Sequence, residues 1–118
     1  MIASAAVFSD AEVPLTRIDV HYDGRLHTQA IHEPSGSVIE TDAPEDNEGL
    51  GEKFSPTDLV ATALGSCTLT TIGIVAQRHE WNIKGSRARI EKHMTPGAVR
   101  RIDRLVVHLD LPGEIENT

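Results

Sequence analysis

The sequence predicts an α+β fold, built as a single domain over residues 1–118. Segments in which apolar and polar residues alternate lie before and after one long uncharged stretch, and such alternation is typical of strands. The uncharged stretch runs from Asp58 to Arg78 and begins with a strong helix-start signal, so it predicts one long helix. A chain of 118 residues is also short for two domains of ordinary size.

The N-terminal part predicts a three-stranded antiparallel meander. Ile18, Val20 and Tyr22 alternate with polar residues, as expected for a strand with one buried face. Asp23-Gly24 predicts a tight hairpin turn after this strand, and a second turn is expected within residues 33–37. The predicted strands span 15–22, 25–32 and 37–41.

A glycine-rich acidic segment, residues 42–53, separates the meander from the helix. Its length for a compact domain predicts either a functional lid or a disordered loop. It ends at Ser55-Pro56-Thr57-Asp58, where a hydroxyl N-cap, a proline at the first helical position and a carboxylate two residues later satisfy the free amides of a helix start. We therefore expect the helix to begin at Pro56 and to end near His79.

The predicted helix is apolar on almost every side from Leu59 to Ala76. A helix of this kind has to be covered all round, and the rest of this chain is too short to cover it alone. The sequence therefore predicts a buried central helix and a partner subunit. Beyond the helix, a turn at 95–97 separates two further predicted strands, at 83–93 and 100–111.

Composition and charge exclude several classes of function. The net charge of −7 disfavours binding to nucleic acids and to anionic membranes. The chain has one cysteine, so it has neither an internal disulfide nor paired thiols for zinc, and a reducing compartment, the cytoplasm, is expected. His21 and His27 could face each other across the first hairpin, but two ligands do not close a metal site. We expect no metal and no cofactor.

The single cysteine, Cys67, lies in the middle of the predicted helix. Free cysteine is often a small buried apolar residue, and pattern alone favours that interpretation. A reactive thiol needs a nearby cation or a helix N-terminus to favour the thiolate. Because Cys67 is about three turns inside the helix, its cation would have to come from elsewhere in the fold or from a partner.

The segment FSPTDLVATALGSCTLTTIGIVA, with IEKHM and VRRIDRLVVHLDLPG after it, resembles the OsmC/Ohr family of thiol-dependent peroxidases, and more closely its OsmC-like branch. The resemblance covers roughly residues 18–113. It implies a homodimer of intertwined α+β subunits whose long central helices pack together. It also implies that the helix cysteine attacks a hydroperoxide, becomes a sulfenic acid and then forms a disulfide with a second cysteine, which external thiols reduce.

The resemblance assigns Cys67 as the peroxidatic thiol. It implies an early arginine as thiolate stabiliser, for which Arg25 is the best match and Arg17 a poorer one, although turn chemistry alone accounts for Arg25 as a solvated hairpin charge. In the family a glutamate ten residues before the cysteine holds this arginine, but here that position is Thr57. Asp58 is next to it and could be the arginine partner, but a helix-capping role accounts for it better.

The sequence also departs from the family in having no second cysteine, and it ends at Thr118, before the segment where the family carries that cysteine, so we expect either a truncated form or a one-cysteine relative. Turnover would then depend on an external thiol. Two functions follow from these observations: a homodimeric peroxide-detoxifying protein of the oxidative and osmotic stress response, or a non-enzymatic dimer that binds a small ligand or is only structural. A one-cysteine redox sensor is a third possibility and would need Cys67 to be reachable from solvent.

Overall fold

The structure, a computed structural model, describes residues 15–112. Residues 1–14 and 113–118 lie outside the described residues. The described elements are five strands, a short 3-10 turn and one long helix, which confirms the α+β prediction. They group into two compact units, divided between Glu40 and Thr41.

The N-terminal unit is a three-stranded sheet in the order β1-β2-β3, as the meander prediction requires. β1 pairs with β2 in antiparallel register, with Val20 opposite Ala30. The observed bounds are β1 Ile18–Gly24, β2 His27–His32 and β3 Val38–Asp42.

The first hairpin turns two residues later than Asp23-Gly24, so that prediction is wrong. Gly24 pairs with His27, which leaves Arg25 and Leu26 as the two-residue loop. Both loop residues have positive φ, 55° and 63°, as a hairpin turn that matches the strand twist requires. Gly24, at φ 87°, is used instead at a register irregularity that follows Tyr22.

The same register corrects the predicted histidine pair. His21 lies opposite Gln29, whereas His27 lies opposite Gly24 at the end of the hairpin. The two imidazoles therefore do not face each other as cross-strand neighbours, because the displaced turn shifts the return strand relative to the first.

The acidic segment is a folded loop rather than a disordered one. Its two ends are joined, since Asp42 N donates to Phe54 O over 3.1 Å. The carboxylate of Asp42, which is fully buried, accepts a hydrogen bond from Glu52 N. At Gly49 the chain folds back so closely on Ala43 that a Cβ would lie 1.7 Å from the carbonyl oxygen of Ala43. Loops with close ends and internal contacts of this kind are often functional.

The helix, α1, spans Pro56–Arg78 and agrees with the predicted bounds. It packs on a two-stranded antiparallel hairpin, and most of its contacts are with the first strand of that hairpin. By length and composition alone, α1 is also apolar enough to cross a membrane, which is weak evidence because core helices of soluble proteins pass the same test.

The C-terminal hairpin consists of β4 Arg87–Met94 and β5 Ile102–Asp110. The predicted start of β4 at Ile83 is wrong. Residues 83–86 form a turn instead, in which both the amide and the hydroxyl of Ser86 donate to Ile83 O. The hydroxyl competes with strand pairing for the backbone carbonyl, so the ladder begins only at Arg87.

Candidate functional site

Cys67 lies at the middle of α1, and its side chain is exposed on the described chain. Val60, Leu64 and Ile74 lie on the same side of the helix as Cys67, because their spacing of three, four or seven residues returns to one helical face. Their exposed fractions are 52%, 38% and 47%. We call the surface formed by Val60, Leu64, Cys67 and Ile74 the apolar stripe. Within residues 15–112, Cys67 Sγ has no hydrogen-bond partner.

The opposite side of α1 packs on the C-terminal hairpin. The buried residues of the helix are Ala61, Gly65 and Ala76, and a Cβ at Gly65 would lie 3.0 Å from two side-chain atoms of Ile90. The small residues let the helix approach β4 closely. Within the described residues, this chain therefore covers α1 on one side only. The apolar stripe on the other side of the helix is exposed.

The start of α1 has the predicted capping box. Asp58 N donates to Ser55 Oγ, and Ser55 N donates to Asp58 Oδ2. Pro56 occupies the first turn, where no amide proton is needed. The helix start is thus held by its own residues.

A lysine of β4 also binds this helix start. Lys92 Nζ lies 2.7 Å from Asp58 Oδ1 and donates to Thr57 Oγ1 over 2.7 Å. The Lys92 side chain is only 15% exposed, whereas that of Asp58 is 42% exposed. A cation at a helix N-terminus opposes the helix dipole, so the carboxylate of Asp58 is the group that makes this position favourable for Lys92.

The pKa of Asp58 reflects these contacts. Burial raises the pKa of the carboxyl, but hydrogen bonds from Lys92 and from Ser55, together with the charge of Lys92, outweigh burial and lower the pKa below its ordinary value. Asp58 is thus held as a carboxylate, which is the form that both caps the helix and pairs with the ammonium group.

An open groove of about 800 Å³ runs between α1 and β4. Its apolar lining includes Ala61, Leu69, Ala88 and Ile90, and its polar lining includes the Asp58–Lys92 pair. Cavities of this size, with an apolar wall and a few polar groups, are typical of sites for small ligands. Cys67 is not among the lining residues, because the groove lies on the hairpin side of the helix.

The structure places the predicted site residues in different positions. Asp58 is nine residues before Cys67, about two and a half turns of the helix, so the two side chains leave α1 on opposite sides. Arg25 belongs to the N-terminal unit, where its carbonyl oxygen contacts His27 Nδ1 at 2.8 Å. As thiolate stabiliser, Arg25 stays a prediction, and so does Arg17.

Sequence reasoning missed Lys92 and its contact with Thr57. Thr57 cannot hold a guanidinium as a carboxylate does, but its hydroxyl accepts from Lys92. The signal was present in the alternation of β4: Lys92 shares the inward side of the strand with Ala88 and Ile90. A single cation on an apolar strand face implies an acidic partner nearby.

Comparisons with known proteins agree with the fold. A crystal structure at 2.15 Å resolution superposes with a TM-score of 0.81 and 43% sequence identity, covering 91% of this chain and 77% of its own. It is a Psychrobacter arcticus 273-4 protein whose name gives it a provisional role in osmotic stress induced and detoxification response. No curated protein sequence matches.

The sequence profile described as OsmC-like protein matches residues 49–118, which is more than half of the chain and includes Cys67, Asp58 and Lys92. The structural match extends the likeness over most of the remaining sequence. This chain is therefore a member of the OsmC family.

Proposed function

We propose that this OsmC-like protein reduces hydroperoxides through Cys67. The proposal is supported chiefly by one observation: Cys67, the only cysteine of the sequence, is exposed on the single chain at the centre of α1 rather than packed in that chain's own core, and it lies within the part of the sequence that matches the family. A filler cysteine would be expected among the buried residues that face β4. Cys67 instead lies on the opposite side of the helix.

In the proposed reaction the thiolate sulfur of Cys67 attacks the terminal oxygen of the hydroperoxide. The O–O bond breaks, an S–O bond forms, and the leaving alkoxide takes up a proton to become an alcohol. Cys67 becomes a sulfenic acid, and two equivalents of an external thiol then return it to the thiol with release of water and a disulfide. We assign thiolate stabilisation to Arg25.

Intact-protein mass measurement tests the first step. One equivalent of an organic hydroperoxide is expected to give a rapid gain of one oxygen, about 16 Da, at Cys67, and a sulfenic-acid trap added afterwards should convert this species into the trap's own adduct. Cys67→Ser is the control and must show no gain. Absence of the adduct from the unsubstituted chain at millimolar peroxide contradicts the proposal.

The assignment of Arg25 has its own matched pair of variants. Arg25→Gln is expected to slow sulfenic acid formation by about tenfold or more at neutral pH, which is about 1.4 kcal/mol of thiolate stabilisation. Arg17→Gln removes a charge of the same kind directly before β1 and should leave the rate of sulfenic acid formation unchanged. Equal rates in the two variants would transfer the role to another cation.

The groove supports a second candidate function, a non-enzymatic dimer that binds a small apolar ligand. Its volume and apolar lining suit such a ligand. Saturable binding of an apolar fluorophore that Ala88→Trp abolishes, in a chain whose Cys67 does not react with peroxide, would favour this function. If the fluorophore binds equally well to Ala88→Trp, the groove is not its binding site.

A further inference from the structure

The groove between α1 and β4 is charged at one end and apolar at the other. Along the helix, its lining runs from Asp58 to Leu69, about 16 Å at the helical rise of 1.5 Å per residue. Lys92 of β4 lies beside Asp58, whereas Ile90 lies against Gly65 further along the helix. The strand therefore follows the helix in the opposite direction, and the charged end of the groove is at the helix start.

The apolar part of the groove is lined by small and aliphatic side chains. These residues are Ala61, Gly65, Leu69, Ala88 and Ile90. Thr62 and Ser66 add hydroxyl groups, of which that of Thr62 already donates to Asp58 O within the helix. A ligand in this part of the groove meets mainly hydrocarbon, so an apolar chain fits it.

At the charged end, the ammonium group of Lys92 has an acceptor for each of its three protons. Nζ lies 2.7 Å from Asp58 Oδ1, 2.7 Å from Thr57 Oγ1 and 3.4 Å from Ser55 Oγ. The amides that make a helix start attractive to anions are also partly used, because Asp58 N donates to Ser55 Oγ and Pro56 has no amide proton. An anionic head group would have to displace one of these contacts, so the groove disfavours ligands with a carboxylate head.

Asp58, in contrast, keeps acceptor capacity for a ligand. A carboxylate offers about four lone-pair sites, of which one on Oδ1 accepts from Lys92 and one on Oδ2 accepts from Ser55 N. The Asp58 side chain is also more exposed than that of Lys92. The accessible side of the ion pair is thus the negative one, and it suits a ligand head group that donates hydrogen bonds.

Phe54 adds an aromatic ring near the same end of the groove. It directly precedes the cap residue Ser55, lines the groove and is 56% exposed. Glu52 and Lys53 line the groove as well, with charges that cancel. The face of an aromatic ring attracts an ammonium group. The carboxylate and the ring therefore both favour a head group that is positively charged.

We propose that the groove binds a single-chain cationic amphiphile, an ammonium group on an apolar tail. The head lies against Asp58 and Phe54, and the tail follows Gly65 and Ile90 toward Leu69. The proposal rests on the second candidate function, ligand binding in the groove, and adds the chemical class of the ligand. It does not depend on peroxide chemistry at the thiol, which lies on the other side of α1.

Calorimetric titration of the full chain with three probes of equal chain length tests the head group. At low ionic strength, decylammonium should bind more tightly than 1-decanol, and decanoate should bind about tenfold or more weakly than decylammonium. Equal affinities for decylammonium and decanoate overturn the proposed head group, although the groove function stands if Ala88→Trp abolishes both. If no probe binds saturably, the groove function and this proposal are both wrong.

A matched pair of variants separates the groove from the negative charge of the whole chain. Asp58→Asn keeps an acceptor for Ser55 N but removes the charge, so decylammonium should bind about fivefold more weakly, with a smaller effect on 1-decanol. Asp103→Asn removes a charge of the same kind at an exposed position of β5 outside the groove lining, and should leave both affinities unchanged. Equal weakening of decylammonium by the two variants contradicts a head-group contact with Asp58.

Phe54→Leu tests the aromatic contact. Leucine keeps an apolar wall but has no aromatic ring, so decylammonium should bind about two- to fivefold more weakly, whereas the affinity for 1-decanol should stay the same. Circular dichroism checks that the variant is folded. An equal loss of affinity for both ligands, or no loss for either, overturns the contact between the head group and Phe54.

Discussion

Lys92 and Asp58 form the best-defined polar contact near the start of α1, and their unequal exposure makes removal of each partner different in cost. Asp58→Ala removes the capping-box hydrogen bond from Ser55 N, worth about 1 kcal/mol, and leaves a poorly solvated ammonium group beside a helix N-terminus. Lys92→Met leaves a carboxylate that is 42% exposed and still caps the helix. We expect Asp58→Ala to lower the free energy of unfolding more than Lys92→Met does.

Urea denaturation of both variants and of the double variant measures this difference. The double variant should lose less unfolding free energy than the sum of the two single variants, because Lys92→Met removes the ammonium group that Asp58→Ala leaves unpaired. Strict additivity would mean that the ion pair contributes nothing beyond its separate parts.

The lowered pKa of Asp58 makes the stability of the helix start depend on pH. Since the folded-state pKa is below that of the unfolded chain, the contribution is fully present above the unfolded value near 4. It is lost as pH falls through the folded-state pKa. Solvent screening at a carboxyl that is 42% exposed keeps this contribution small.

Asp58→Asn is the control for this pH dependence, because asparagine keeps a side-chain oxygen that can accept from Ser55 N but does not titrate. The unfolding free energy of the unsubstituted chain should fall more steeply between about pH 4 and pH 2 than that of Asp58→Asn. Parallel pH profiles of the two chains would contradict the assigned role of Asp58.

At the level of residues, sequence reasoning found those with strong local signals. Ser55 and Asp58 form the predicted capping box because capping depends on neighbours within one turn. Lys92 was missed because its partners are more than thirty positions away in sequence. The closeness of α1 to β4 that brings them together is a tertiary property.

The packing of α1 on β4 can be tested with two glycines of the same helix. A Cβ at Gly65 would lie 3.0 Å from Ile90, whereas a Cβ at Gly73 would have no atom within 4 Å. Both Gly→Ala changes gain helix propensity, about 1 kcal/mol, but only Gly65→Ala forces Ile90 to move.

Thermal unfolding should therefore rank Gly73→Ala as neutral or stabilising, with Gly65→Ala less stable than Gly73→Ala by roughly 1–3 kcal/mol. Ile90→Val, combined with Gly65→Ala, removes one of the crowded atoms and should recover part of the loss. If Gly65→Ala and Gly73→Ala unfold together, the helix does not pack on β4 at the observed distance.

The elements themselves were predicted more accurately than their ends. α1 agrees with its prediction because proline, the cap and the uncharged sequence all act locally. The first hairpin turn was misplaced because Arg25 and Leu26 adopt positive φ, which residues other than glycine rarely do. No local signal distinguishes that turn from one at Asp23-Gly24, so the strand pairing decides it.

For the whole molecule, the apolar stripe of α1 is the feature that points beyond the single chain. No charged residue lies between Asp58 and Arg78, and the stripe residues are a third to a half exposed. An exposed apolar helix face of this length marks an interaction surface. We propose that a second copy of the chain covers the stripe, as the sequence predicts from the all-round apolar helix.

A charge placed in the stripe tests the dimer. Leu64→Lys is expected to shift the protein from about twice its chain mass of 12.8 kDa toward the monomer in light scattering, because a buried unpaired ammonium opposes association. Val99→Lys is the matched control, since Val99 is 69% exposed in the turn between β4 and β5. A monomeric unsubstituted chain would contradict the dimer, and a dimer unaffected by Leu64→Lys would place the interface elsewhere. If Leu64→Lys is monomeric and its Cys67 is alkylated faster, the partner also covers the thiol in the dimer.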